Sequence, residues 1–381
     1  MKLIHLSDLH LGKRVNDFSM IEDQKDILIK ILGIISEEKP DGVLIAGDVY
    51  DKSVPSAEAV ELFDDFLVRL SRLDTQVFII SGNHDSAERL AFGGRIMDVR
   101  GIHLSPVYSG KVEPVTLKDA HGEVDIYMLP FIKPANVRRF IEDDEQGTMT
   151  YSEAVGFAIS KMSVDKSRRN VLVTHQFVTG ASRSDSEDIS VGGTDNVDAS
   201  VFDDFDYVAL GHIHGPQNVG SERIRYCGTP LKYSFSEAGH TKSVTVAELA
   251  GKGTLNVRTV PLVPLHDMKE IKGSYDEIMD KRFYENTSYI SDYMHITLTD
   301  EEDIPDAVTR LRTVYKNLMK LDYDNKRTRH NVSFTASEDV EYKPPLTLFS
   351  EFYEMQNGTA VSEEQTKYLT SIIEEIWEGE A

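Results

Sequence analysis

Cysteine and tryptophan are nearly absent from this 381-residue chain, which has one of each, Cys227 and Trp377. A lone thiol excludes an intrachain disulfide framework and a thiolate cluster for structural zinc, so any metal must be held by nitrogen and oxygen. Basic residues are scarce beside acidic ones: 41 Lys and Arg stand against 64 Asp and Glu, a formal charge of −23. That balance argues against the basic footprint of an ordinary nucleic-acid binder, although a metal pair supplies a local positive field of its own. No apolar run approaches the ~20 residues of a membrane helix. The first eleven residues carry His5, Asp8 and His10 and lack the apolar stretch and cleavage site of a signal peptide. A cytoplasmic location without membrane contact is expected. Internal repeats and low-complexity tracts are also missing.

What is present is a succession of short apolar runs and helical spacings. Residues 2–6 read as a buried strand; Ile27, Leu28, Ile31, Ile34 and Ile35 form a helix face; residues 42–46 form a second strand. A helix over about 56–70 and a strand at 77–81 follow. Strand–helix units in series predict a layered α/β fold with central β-sheets flanked by helices. Further runs lie at 126–129, 171–174 and 207–210. Alternation at 243–249 and 256–262 predicts antiparallel strands closing a first domain, 1–262, with Pro261 and Pro264 at its boundary. A smaller α/β cap domain, 263–340, is expected to hold a strand at 293–298 and a helix from about 304 to 321, with Asp303 as its cap. A C-terminal helical segment, 341–381, has amphipathic stretches at about 346–355 and 362–377, the second opened by a capping-box pattern at Ser362 and Gln365.

The chemistry is carried by residues placed just after those apolar runs: Asp8 and His10, Asp48, Asn83 and His84, His175, and His212 and His214. In α/β sheets, ligands bind outside the carboxyl ends of strands, so residues 200 apart can converge there. The Asp8-x-His10 and His212-x-His214 spacings would face both side chains the same way in extended backbone. Gly47, Gly82 and Gly211 precede ligands and permit sharp turns. Mixed imidazole and carboxylate donors suit Mn, Fe or Zn better than an all-oxygen magnesium site. Two ions ~3.5–4 Å apart would activate a water and neutralise charge on a phosphate. Singly, each residue also has an ordinary reading as a turn or cap; His103, His121, His240, His266, His295 and His330 are read as surface or satisfied core residues.

Together, Asp8-x-His10, Gly47-Asp48, Gly82-Asn83-His84-Asp85, a strand ending in His175, and Gly211-His212-x-His214 resemble the motif set of the calcineurin-like metallophosphoesterase superfamily. More narrowly, KLIHLSDLHLG at the start, AGDVYDKSVPS from Ala46, SGNHDSAERL from Ser81, LGHIHGPQ from Leu210 and YCGTPLKYSFSE from Tyr226 are similar to the D-subunit family of bacterial SbcCD nucleases. The resemblance implies 3′ to 5′ exonuclease action on double-stranded DNA and endonuclease action at hairpins and blocked ends, in repair and recombination. It also implies manganese, a homodimer, and an SbcC-like ATPase partner with a coiled coil. By the same resemblance Asp8, His10, Asp48 and His214 hold one divalent ion, and Asp48, Asn83, His175 and His212 the other. Asp48 bridges, and His84 contacts the scissile phosphate and aids the leaving group, its tautomer set by Asp85 or a backbone carbonyl. Some relatives have a histidine shortly after the bridging aspartate, where this chain has Tyr50-Asp51-Lys52, so no catalytic role is assigned there. A phosphomonoesterase or cyclic-nucleotide phosphodiesterase of the same superfamily is the alternative. Lys133, Arg138 and Arg139, then Lys166, Arg168 and Arg169, then Lys326, Arg327 and Arg329 are candidate phosphate contacts.

Overall fold

A computed structural model describes residues 1–141, 149–187, 196–326, 328, 345–357 and 360–378, and its chain divides into two compact units, Met1–Asp267 and Met268–Ala381. In the first unit, two-residue ladders aside, the strands are β1 (Lys2–Leu6), β2 (Gly42–Ala46), β3 (Gln76–Ile80), β4 (Ile102–Leu104), β5 (Val115–Asp119) and β6 (Gly122–Leu129). They continue as β7 (Arg169–His175), β8 (Tyr207–Gly211), β9 (Gln217–Val219), β10 (Ser221–Tyr226), β11 (Ser243–Leu249) and β12 (Leu255–Pro261). Two six-stranded sheets result, ordered β12-β11-β1-β2-β3-β4 and β9-β10-β8-β7-β6-β5.

Strands β1 to β4 run parallel, with β11 added antiparallel beside β1 and β12 antiparallel beside β11. In the second sheet β6, β7, β8 and β10 are parallel, flanked by antiparallel β5 and β9. One side of each sheet faces the other: Leu3, Leu44, Phe78 and Ile80 pack in one apolar cluster with Ile126, Val171, Val173 and Ala209. Their sequence neighbours Ile4, Val43, Ile45, Val77 and Ile79 are buried too, because a parallel sheet is covered on both faces. Helix α1 (Ile21–Glu38) buries Ile27, Leu28, Ile31 and Ile35 of its predicted face and leaves Ile34 half-buried; helix α2 (Ala57–Leu70) buries Phe63, Phe66, Leu67 and Leu70, while Val60, expected on the same side, is exposed. Helix α3 (Tyr151–Ser160) contributes Ala154, Val155, Ala158 and Ile159 to a cluster with Leu172, Val208 and Leu210 on the second sheet.

The second unit is built on a parallel sheet, β13 (Met268–Gly273), β14 (Tyr293–Leu298) and β15 (Leu318–Tyr323), in that order. The helix expected over 304–321 is not continuous. Only Ala307–Leu311 is helical, its N-cap is Asp306 rather than Asp303, and residues 318–323 form a strand paired with β14. The spacing of Leu311, Tyr315 and Leu318 fits a helix, yet these residues reach one core, with Ile271, Met294 and Ile296, from a short helix, a turn and a strand. Pairing along β14 and the Tyr315 hydroxyl, which donates to the Ile278 carbonyl at 2.7 Å, favour the strand over further helix. Helices α4 (Pro345–Asn357) and α5 (Glu363–Glu378) pack on each other, tied by Gln365 Nε2 donating to Tyr353 Oη at 3.0 Å. The capping box forms: Gln365 N donates to Ser362 Oγ at 3.3 Å, and Ser362 N to Gln365 Oε1 at 2.9 Å. Among the described residues no helix is long and apolar enough to cross a membrane.

Candidate metal centre

Five strand ends of the first unit meet at one place. Asp8 and His10 follow β1, Asp48 follows β2, Asn83 and His84 follow β3, His175 is the last residue of β7, and His212 and His214 follow β8. Imidazole Nε2 of His10 lies 3.1 Å from Nε2 of His214 and 3.7 Å from Asp48 Oδ2. On the other side of Asp48, His175 Nε2 is 3.4 Å from the same Oδ2 and 2.9 Å from Asn83 Oδ1, which lies 3.0 Å from His212 Nδ1. Donor atoms of Asp8, His10 and His214 lie within 4.8 Å of one another, as do those of Asp8, Asp48 and His175, and those of His10, Asp48 and His84. Asp8 therefore reaches both sides of the centre, as Asp48 does.

The two-residue spacings do not act through extended backbone. Asp8, His10, Asp48 and His212 have φ of 52°, 44°, 49° and 102°, in the region that non-glycine residues seldom adopt. Such conformations cost roughly 1–3 kcal/mol each and persist where surrounding structure enforces them. Here backbone hydrogen bonds do so: Asp8 N donates to Gly47 O at 3.0 Å, His10 N to Asp48 O at 2.9 Å, and His212 N to the Asp8 carboxylate at 3.0 Å. The Asp85 carboxylate laces two ligand loops together, accepting from Val49 N, Tyr50 N and Gly82 N at 2.9–3.1 Å. Glycine is required at Gly82, where a Cβ would overlap Asp48 Oδ1, and at Gly211, where it would overlap the Ala46 carbonyl.

Burial and charge oppose each other throughout the site. Burial pushes Asp8 up to about 6, helped by the Asp48 charge and resisted by His175. At Asp48 burial also acts upward, but His175, His10 and His84 outweigh it and hold the carboxylate well below its usual range. His175 moves to about 9, since the Asp48 charge overcomes burial; burial drives His10 well down and His212 to about 3. The donor set fits metal ions. His175 Nδ1 donates to the Ala46 carbonyl at 2.8 Å, so Nε2 is the nitrogen that faces the oxygens of Asp48 and Asn83, and the Asp48 charge keeps a proton on it. A cation between them would take the place of that proton and free the Nε2 lone pair as a ligand. Cys227 is buried beside Ser7 Oγ, its thiol pushed up to about 12 by burial, and it is not among the clustered donors.

His84 differs from the rest. Its side chain is 21% exposed, whereas those of His10, His175 and His214 are 3% or less. Its Nδ1 lies 3.0 Å from the Asp51 carbonyl, so a backbone carbonyl sets the tautomer and Asp85 does not. His103, His266 and His295 are taken up by Asp98 and Gln76, by Asp23, and by Glu270 and Asp322, and His330 lies outside the described residues. His5 turns into the interlayer core, 2.9 Å from Tyr207 Oη.

The basic residues at 166–169 are paired with carboxylates. Lys166 pairs with Asp204, Arg168 with Glu123 and Asp125, and buried Arg169 with Asp119. Arg139 donates to the Tyr108 carbonyl at 2.9 Å, and Arg327 and Arg329 lie outside the described residues. Sequence reading missed Ser186, Glu187, Glu237 and Lys242, which surround His214. Only Glu237 lies in a run that the sequence reading singled out, YSFSE, and no spacing signal marked it or the others.

The chain is similar to known proteins over most of its length. The calcineurin-like phosphoesterase family model matches residues 1–216, and the model described as the type 5 capsule protein repressor C-terminal domain matches 264–357. The D subunit of the nuclease SbcCD from Staphylococcus epidermidis is 32% identical over 380 residues, covering 98% of this chain and 99% of that protein. Among solved structures, the calcineurin-like phosphoesterase YfkN of Bacillus subtilis aligns at 15% identity and a TM-score of 0.34 over 69% of this chain and 90% of its own. A dimetal phosphatase of Danio rerio aligns at 13% identity and a TM-score of 0.38 over 68% of this chain and 98% of its own. The chain belongs to the calcineurin-like phosphoesterase family, within the branch of the SbcCD nuclease D subunits.

Proposed function

We propose that this chain is the nuclease component of a DNA-end-processing complex, a phosphodiesterase working with two divalent ions, Mn(II) in preference to others. The observation that carries the reading is the convergence of seven N and O donors at five strand ends, with the more exposed imidazole of His84 beside them. The full-length relative named as part of a nuclease supports DNA as the substrate. Asp8, His10, Asp48 and His214 would hold one ion, and Asp48, Asn83, His175 and His212 the other. Bound there, the ions supply an activated water and neutralise charge on the phosphoryl oxygens.

The chain's own residues do the rest. With Nδ1 committed to the Asp51 carbonyl, a protonated His84 can donate through Nε2 to a phosphoryl oxygen or to the departing 3′ oxygen. Asp48 Oδ2 lies 3.9 Å from that nitrogen, which places the donor at the edge of the metal centre. The remaining organisation is proposed as a nuclease domain at 1–262, a DNA-binding cap at 263–340 and a partner-binding segment at 341–381, in a cytoplasmic homodimer that acts on double-stranded ends and hairpins. An SbcC-like ATPase would dock its coiled coil on α4 and α5, where Phe349, Phe352 and Tyr368 are 41%, 55% and 69% exposed. The test is manganese-dependent cleavage of 3′-labelled hairpin DNA against p-nitrophenyl phosphate. Shortened strands with labelled 3′ products support the reading; turnover of the small ester alone points to a phosphomonoesterase.

A further inference from the structure

Behind His214 lies a polar cluster that the proposed hydrolysis does not use, made of buried Glu187, Thr229, Glu237 and Lys242 and half-buried Ser186. Glu237 is fully buried and Lys242 is 4% exposed. A buried ion pair is weak support for stability, because removing both charges from water offsets their attraction. Its placement is more informative. One Glu237 oxygen pairs with the Lys242 ammonium, and the other lies 2.5 Å from Ser186 Oγ, which is 2.7 Å from Nδ1 of His214.

The direction of each bond follows from donor capacity. A carboxylate only accepts, so the Ser186 hydroxyl gives its single proton to Glu237 and is left to accept; Nδ1 of His214 must then carry the hydrogen. The direct approach of Nδ1 to Glu237 Oε1, at 3.5 Å, leads to the same tautomer. The backbone of His214 is clamped as well. Its N–H donates to Glu187 Oε1 at 2.7 Å, and its carbonyl accepts from Lys242 Nζ at 2.9 Å. Nε2 thus presents a lone pair toward Asp8 and His10. The other side of the centre is arranged differently, since His175 Nδ1 uses the Ala46 carbonyl and no side chain.

We propose that Ser186 and Glu237 are positioning residues that lock the tautomer and aim of His214, and so set the affinity of one of the two metal positions, the one shared with Asp8 and His10. This rests on the dimetal reading. Partners of metal-bound histidines typically carry ~10- to 100-fold in affinity. The experiment titrates Mn²⁺ into the metal-free full-length chain by calorimetry, for the parent, Ser186→Ala and Ser186→Thr. Two ions per parent chain are expected. In Ser186→Ala one ion should weaken by ~10- to 100-fold and the other stay unchanged, with Ser186→Thr, which keeps the hydroxyl, restoring the weaker ion. Unchanged binding in Ser186→Ala, equal weakening of both ions, or no recovery in Ser186→Thr overturns the assignment. Failure of the parent itself to take up two ions defeats the dimetal reading instead, so the two failures are told apart.

Discussion

At the scale of single residues, adjacent side chains in one loop have different roles. Asn83 turns its oxygen to His175 and His212, while His84 keeps an exposed edge beside Asp48. Replacing His84 by Ala should therefore leave two manganese ions per chain and near-parent DNA affinity, yet lower single-turnover cleavage by ~10²- to 10⁴-fold. Loss of one ion together with activity would instead make His84 a ligand, an outcome the proximity of its nitrogen to Asp48 and His10 keeps testable. Asp48 stands between the two donor sets. Asp48→Ala is expected to abolish nearly all hydrolysis and deplete both ions, measured as metal per chain on the same preparation. A variant that keeps both ions and normal turnover refutes the bridging role. Residue types and positions of these donors were legible in the sequence. The left-handed backbone at Asp8, His10, Asp48 and His212 was not, because its cost is met by loops from other parts of the chain.

At the scale of elements, the sheets hold the site through a few long-range ties, and Arg169 at the start of β7 is one. Its guanidinium donates to the Leu249 and Ala250 carbonyls at 3.1 and 2.9 Å, to Gly122 O at 2.9 Å and to both Asp119 oxygens, so it joins β5, β6 and β11. Hydrogen bonds from Arg169 first, and from the amino terminus, hold Asp119 well below the usual carboxylate range despite some burial. Arg169→Met should destabilise the folded chain by ~1–3 kcal/mol at neutral pH, since the Leu249, Ala250 and Gly122 carbonyls lose their donor and Asp119 keeps, among the described residues, only the amino terminus as its cation. The sign with pH follows: a depressed carboxylate stabilises fully above its unfolded value of about 4 and loses that contribution as acid protonates it. The gap between parent and variant in urea midpoints should narrow as pH falls below about 4; a gap that widens there contradicts the pairing. Among elements, strands and helices with strong spacing in the first unit were readable. The 304–321 stretch was misread because apolar spacing cannot say whether the edge of β14 awaits a partner.

For the whole molecule, the acidic balance of the chain and a phosphodiester substrate are compatible if nuclease action depends on the metal centre and on a partner that supplies more of the clamp. The apolar face of α4 and α5 motivates a truncation after residue 340. The shortened chain is expected to lose co-purification with the coiled-coil ATPase while retaining manganese-dependent cleavage of small substrates. Undiminished partner binding would reject docking on these helices.

The sequence by itself determined the donor chemistry, the layered α/β class and the five places where ligands leave strands, because hydrophobic period and turn glycines are local properties. Only the tertiary structure decided that there are two sheets, that Asp8 reaches both halves of the centre, and that Ser186 and Glu237 stand behind His214. Those facts depend on which face of one sheet meets the other and on loops hundreds of residues apart. No pattern along a chain encodes such distances; packing against the Leu3, Phe78 and Val173 layer does.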